Sequence, residues 1–106
     1  MGIGEDLIRE IVGRTLAVAS VKRIILFGSA AAGQMTQDSD VDLLILSPTP
    51  PKSREERVRI RQALRGLGFP FDVFLMSLRD FEETKEYIGG VAHPAYKYGR
   101  VIYEAA

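Results

Sequence analysis

The chain has no cysteine among its 106 residues, so neither a disulfide nor a thiolate zinc site can form within it. It also has no net charge: fourteen Lys and Arg balance fourteen Asp and Glu, with a pI near 6.6. That balance gives no electrostatic case for non-specific nucleic-acid binding, and direct binding to nucleic acid is not expected. No apolar run reaches the length of a membrane span, so no membrane association is expected. The opening MGIGEDLIRE lacks the basic region and apolar core of a signal peptide. Internal repeats and low-complexity segments are absent too. These absences leave an expected cytoplasmic protein with one domain spanning residues 1–106. The chain is long enough to bury a core but too short for a separate substrate-binding module.

What is present is a regular alternation of patterns. Leu7, Ile8, Ile11, Val12 and Leu16 recur at helical spacing behind Glu5 and Asp6, which predicts an amphipathic helix over 5–19. VKRIILF at 21–27 is rich in β-branched residues and predicts a strand. Residues 28–33 read as a turn that opens a short helix through the alanines. VDLLIL at 41–46 is apolar on both faces after its start, as a central strand covered on both sides would be. Beyond Pro48, Pro50 and Pro51, Ser53 and Glu56 have capping-box spacing ahead of a helix with Val58, Ile60, Ala63 and Leu64, which Gly66 and Gly68 stop. FDVFLM at 71–76 predicts a third strand. Ser77 and Asp80 open a short helix reaching about Tyr87, a last helix starts near Pro94 and ends at Gly99, and 101–103 adds an edge strand. The expected fold is α/β (α+β), a small mixed β-sheet flanked by helices.

Two aspartates interrupt the second strand's entry. Side chains alternate along a strand, so Asp40 and Asp42 share a face, about 6.5–7 Å apart at the usual rise per residue. Carboxylates so placed repel unless water screens them or a cation sits between them. Mg²⁺ suits the arrangement, since it takes one or two carboxylates plus waters and phosphate oxygens. Asp72 stands inside the otherwise apolar FDVFL, where an isolated charge is costly unless paired or metal-bound. If the second and third strands are neighbours, Asp40, Asp42 and Asp72 make a site for metal-assisted phosphoryl transfer. Against this, a lone Asp-x-Asp is common and either aspartate can simply cap a turn.

Gly28-Ser29 sits where an apolar strand ends. Glycine lets a phosphate approach the backbone, a helix start supplies free N–H groups, and Ser29 adds a hydroxyl donor. Taken alone, Gly-Ser is an ordinary tight turn. Gly28 and Gly33 have the spacing of a Walker A loop, but Gln34 and Met35 follow where Lys and Ser or Thr are required, which excludes that motif.

Taken in order, Gly-Ser, ten residues, Asp-x-Asp and an apolar run resemble the signature of the DNA polymerase beta-like nucleotidyltransferase superfamily. The chain is similar to its minimal, stand-alone prokaryotic members. LFGS at 26–29, DSDVDLLIL at 38–46, FDVFLM at 71–76 and YGRVIYE at 98–104 follow that pattern in order, so the resemblance covers most of the chain. It implies Mg²⁺-dependent transfer of a nucleoside monophosphate, AMP from ATP, to a hydroxyl with release of pyrophosphate. It implies that Gly28 and Ser29 hold phosphate, that Asp40 and Asp42 bind both metals, and that Asp72 binds the catalytic metal. Minimal members serve as antitoxins to small all-helical HEPN-domain toxins, which are RNases, and silence them by adding AMP to a tyrosine. The resemblance therefore implies a HEPN partner. The alternative is a noncatalytic antitoxin that neutralises its partner by binding; an RNA or small-molecule acceptor is disfavoured by the missing substrate domain.

One departure stands out. The family usually reads G-S-x-A-R-G, with a basic residue also common at x, whereas this chain reads G-S-A-A-A-G. Ala30 and Ala32 leave the segment uncharged, so weakened activity is expected, with Lys97 and Arg100 as the available substitutes. His93, the single histidine, reads as part of a helix entry. Tyr87, Tyr96, Tyr98 and Tyr103 read as packing the C-terminal segment onto the sheet, or as a partner surface. Arg54, Arg57, Arg59, Arg61 and Arg65 make a basic helix, read as a solvated face or a contact for RNA or an acidic partner.

Overall fold

The alternating patterns assemble into one four-stranded sheet. The computed structural model describes residues 3–31, 33 and 39–106. The elements in chain order are α1 (Glu5–Val18), β1 (Arg23–Phe27), β2 (Val41–Ser47), α2 (Arg54–Ala63), β3 (Phe71–Ser77), α3 (Leu78–Thr84), α4 (Ala92–Tyr98) and β4 (Arg100–Glu104). The strands lie in the order β3-β2-β1-β4. β1 pairs antiparallel with both β2 and β4, while β2 and β3 run parallel. The sheet is therefore mixed, as expected, and β2 is an inner strand.

Period-two alternation sorts the strand residues onto two faces. Ile24, Leu26, Val41, Leu43, Ile45 and Val73 pack with Ile11 of α1 and Ile60 of α2. Ile25, Phe27, Leu44 and Leu46 pack with Phe81 of α3 and with Ala92 and Ala95 of α4. Helices thus cover both faces, and β2 from Leu43 to Leu46 is sealed between them at no more than 1% exposure. Each such side chain contributes about 1.5–3 kcal/mol of transfer free energy.

Local signals explain where the helices begin. Ser77 accepts a hydrogen bond from the Asp80 amide at 3.0 Å and caps α3, as its spacing predicts. Ser53 stands at the N-cap of α2 but makes no side-chain cap bond. Instead, Glu56 reaches past it and accepts from the Lys52 amide at 3.0 Å, so only the glutamate half of the expected capping box forms, one residue early. The helix expected after Gly28 is also corrected: residues 28–31 form a turn, with the Gly33 amide donating to the Ala30 carbonyl at 3.4 Å. A left-handed φ of 72° at Gly28 turns the chain out of β1 and is incompatible with starting a helix there.

Candidate active site

The register of the sheet decides which aspartates meet. Asp42 of β2 lies directly opposite Asp72 of β3, and opposite Phe27, the last residue of β1. Residues paired across neighbouring strands share a face, so Asp42 and Asp72 both belong to the α3/α4 side, at the end of the sheet where β2 and β3 begin. Asp40 stands just before β2 and is exposed, as is Asp72, while Asp42 is half-buried. The Val41 amide donates to the Pro70 carbonyl at 2.9 Å, which fixes the entry to β2 against the entry to β3. Beneath the pair, Phe27 and Phe74 form a tilted aromatic contact, ring centroids 5.8 Å apart, on the same face. The expectation that the second and third strands are neighbours is met, and that adjacency unites the two motifs.

The electrostatics follow from this geometry. Burial raises the Asp42 pKa above the ordinary carboxylate value, and the negative charges of Asp72 and Asp40 raise it further. No positive charge acts in the opposite direction. Among the described residues, then, a half-buried carboxylate faces two others without a cationic neighbour, which disfavours its charged form, and a bound cation reverses that. The donor set is all oxygen, which suits Mg²⁺. Among the described residues no group of three or more His, Asp or Glu side chains is arranged as a ready metal cage. Mg²⁺ does not need one, since it binds through one or two carboxylates and keeps several waters. The residues therefore fit such an ion, with Asp42 and Asp72 as the fixed pair and Asp40 at the more open position.

Gly28 and Ser29 reach the same end of the sheet from β1. A Cβ on Gly28 would collide with the Asp42 carboxylate Oδ2 and lie 3.2 Å from its Cγ. The glycine is thus required twice, for its left-handed φ and for the space that Asp42 occupies. Ser29 is half-buried beside it. Ala30, read as a lost basic group, is 4% exposed and packs in the α1/α2 core. A charged side chain there would enter the apolar cluster, a burial that residue types and spacing alone do not reveal. Ala32 lies outside the described residues.

Neither proposed substitute for the missing charge is placed to act. Arg100 pairs across the sheet with Leu26, a residue of the α1/α2 face, and its guanidinium bonds Glu5 of α1 at 2.9 Å. Lys97 lies over the Tyr98 ring, 5.6 Å from its centroid. His93 braces the α3–α4 connection, its Nδ1 3.2 Å from the Lys85 carbonyl. Of the tyrosines, Tyr103 packs against the core and Tyr96 sits edge-on to Phe81 at 6.5 Å. Tyr87, Tyr96 and Tyr98 are exposed, so packing onto the sheet does not hold for the whole group. Among the described residues no helix is long and apolar enough to cross a membrane.

Comparison with known proteins agrees with the fold. The profile of the nucleotidyltransferase domain family matches residues 6–93. Comparison with curated protein sequences gives no match. Among solved structures, the fold is similar to a toxin–antitoxin complex with AMP-PNP, with a TM-score of 0.70 and 17% identity over 92% of this chain and 73% of that one. It is also similar to a complex of a tri-AMPylated Shewanella oneidensis HEPN toxin with its MNT antitoxin, with a TM-score of 0.65 and 16% identity over 95% and 72% of the two chains. A mutant of the toxin–antitoxin pair MntA-HpeT gives a TM-score of 0.66 and 17% identity over 97% and 75%.

Proposed function

Since the chain belongs to the nucleotidyltransferase domain family, we propose that it transfers AMP from ATP to a tyrosine hydroxyl of a HEPN-domain toxin in the cytoplasm, and so acts as that toxin's antitoxin. The observation that supports this most is the Asp42–Asp72 register pair, with Gly28 packed against Asp42. Two of the similar structures carry chemistry of this kind, one with AMP-PNP and one with an AMPylated HEPN toxin, which makes ATP and a HEPN protein the first substrates to test.

In this reading Asp40, Asp42 and Asp72 would hold Mg²⁺, which would neutralise phosphate charge and lower the pKa of the attacking hydroxyl. Gly28, lacking a side chain, lets the phosphates approach the turn backbone, and Ser29 offers its hydroxyl as a donor. The acceptor oxygen attacks the α-phosphorus in line. The bond from that phosphorus to the β-phosphate oxygen breaks, and pyrophosphate leaves with the electron pair. The hydroxyl proton passes to Asp72, the exposed carboxylate at the sheet edge, and from there to water.

A second reading, neutralisation by binding alone, draws on one observation: among the described residues no cationic side chain counters the three carboxylates, since Ala30 is buried and Arg100 faces the opposite side of the sheet. Incubation with labelled ATP, Mg²⁺ and the HEPN protein separates the two, with Asp40→Asn/Asp42→Asn as control. Label on the HEPN protein that disappears in the control supports transfer. A tight complex without label, unchanged in the control, replaces transfer with binding alone.

A further inference from the structure

The arginines of this chain divide into two groups by position. Arg9, Arg14, Arg23, Arg79 and Arg100 each pair with a carboxylate at 2.5–3.5 Å. Arg54, Arg57, Arg59, Arg61 and Arg65, on α2 and the turn after it, are all exposed, and none makes an ion pair among the described residues. Glu55 and Glu56 are the only acidic residues of that helix. A chain without net charge thus concentrates unpaired positive charge on one element.

That element also borders an apolar groove. Arg54, Val58, Arg61 and Arg65 recur at helical spacing along one side of α2. Val58 is 40% exposed there. Between this side and the strand entry lies a groove of about 390 Å³ floored by Leu64, Phe69 and Phe71 and rimmed by Arg61 and Arg65. Phe71 immediately precedes Asp72, so the groove opens at the catalytic end of the sheet but on its other face.

We infer that this groove docks an acidic, amphipathic segment of a protein partner, with apolar side chains over Val58, Phe69 and Phe71 and carboxylates against Arg54, Arg61 and Arg65. Charge complementarity selects an acidic occupant, because bidentate guanidinium–carboxylate pairing is the contact these free forks lack. The floor selects a peptide over a nucleic acid. Phe69 and Phe71 are only half-exposed and pack against the α1/α2 core, whereas single-stranded RNA requires open ring faces for stacking. The ten residues of α2 span about 15 Å, which is the length of a short segment. The inference deepens the proposed function by giving the chemistry of the partner surface, and it rests on that reading only for the partner being a protein.

The test is fluorescence anisotropy with three labelled probes: a short peptide of Glu, Leu and Phe, its Gln-for-Glu counterpart, and single-stranded oligouridylate. The Glu peptide is expected to bind roughly ten-fold tighter than the Gln peptide at low salt, with affinity falling as salt rises. Arg54→Glu/Arg61→Glu/Arg65→Glu should weaken it by roughly ten-fold or more, and the corresponding Gln triple variant by less. Circular dichroism melts of both variants should match the parent, since these side chains pair with nothing. Asp40→Asn/Asp42→Asn should bind the peptide as the parent does, so loss of AMP transfer and loss of docking are read separately. Equal binding of the two peptides, no peptide binding, tighter binding of oligouridylate, or arginine-dependent self-association in sedimentation would each overturn the inference.

Discussion

Asp42 and Asp72 face each other in register across two parallel strands, and the Asp42 pKa is raised by burial, by Asp72 and by Asp40. The native chain therefore keeps the Asp42 proton to higher pH than the unfolded chain does. Above the raised pKa the ionised carboxylate subtracts from stability, and this cost is relieved as pH falls through that value. Asp42→Asn should melt at a higher temperature than the parent near neutral pH, and the difference should shrink on acidification through the raised pKa. Mg²⁺ should raise the melting temperature of the parent and leave the variant unmoved. A variant that melts lower at neutral pH would contradict the electrostatic account.

Gly28 answers to both backbone and neighbour. Gly28→Ala places a Cβ on a left-handed residue and against the Asp42 carboxylate. A loss of about 1–3 kcal/mol in denaturant unfolding is expected. Transfer activity at a temperature where the variant is fully folded should fall much further, because Asp42 must turn away from Asp72. Activity retained in proportion to the folded fraction would show that Asp42's orientation is immaterial.

Ala30 tests whether a family-like charge can be restored. Ala30→Arg puts a guanidinium into a position that is 4% exposed and should destabilise the chain by about 1–3 kcal/mol. It should not increase AMP transfer. Increased transfer with unchanged stability would mean that the residue 30 side chain can face the aspartates after all.

Two serines give a contrast within one chain. Ser77→Ala removes the bond to the Asp80 amide and should cost about 1 kcal/mol. Ser53→Ala removes no cap bond and should change stability by less than about 0.5 kcal/mol. Paired urea melts measure both; equal losses would show that Ser53 caps α2 in solution.

Much of this was legible before any coordinates, for reasons that differ by element. β1 and β2 declared themselves because β-branched and leucine runs of that length have few other uses, and Gly28 marked the end of β1. Strand parity placed Asp40 and Asp42 on one side, but parity cannot say which strand lies beside which, so the meeting with Asp72 was conditional until the register was seen. The turn expected after β1 is there, but the short helix expected to follow from the helix propensity of alanine does not start at 28–31, where the left-handed Gly28 overrides it. Ala30 reads in the sequence as a place where a basic group is missing, yet the turn packs it into the α1/α2 core. Ser53 has the right spacing for a cap but makes no side-chain cap bond, and Glu56 accepts from the Lys52 amide rather than the Ser53 amide. The arginines of α2 were counted correctly, but that none of them has a carboxylate partner is a fact about distances.

The parallel pairing of β2 with β3 has a temporal meaning. The antiparallel β1 and β2 are complete as soon as residue 47 has been made, whereas Asp72 arrives only after all of α2 has been synthesised and folded back across the sheet. Closing such a crossover is entropically slower than pairing a hairpin. A growing or partly folded chain therefore carries Asp40 and Asp42 without their counterpart, and the repulsion among the three carboxylates is deferred until β3 docks beside β2. The Asp42–Asp72 pair is then assembled only when β3 docks beside β2, so a chain that ends before β3 lacks it.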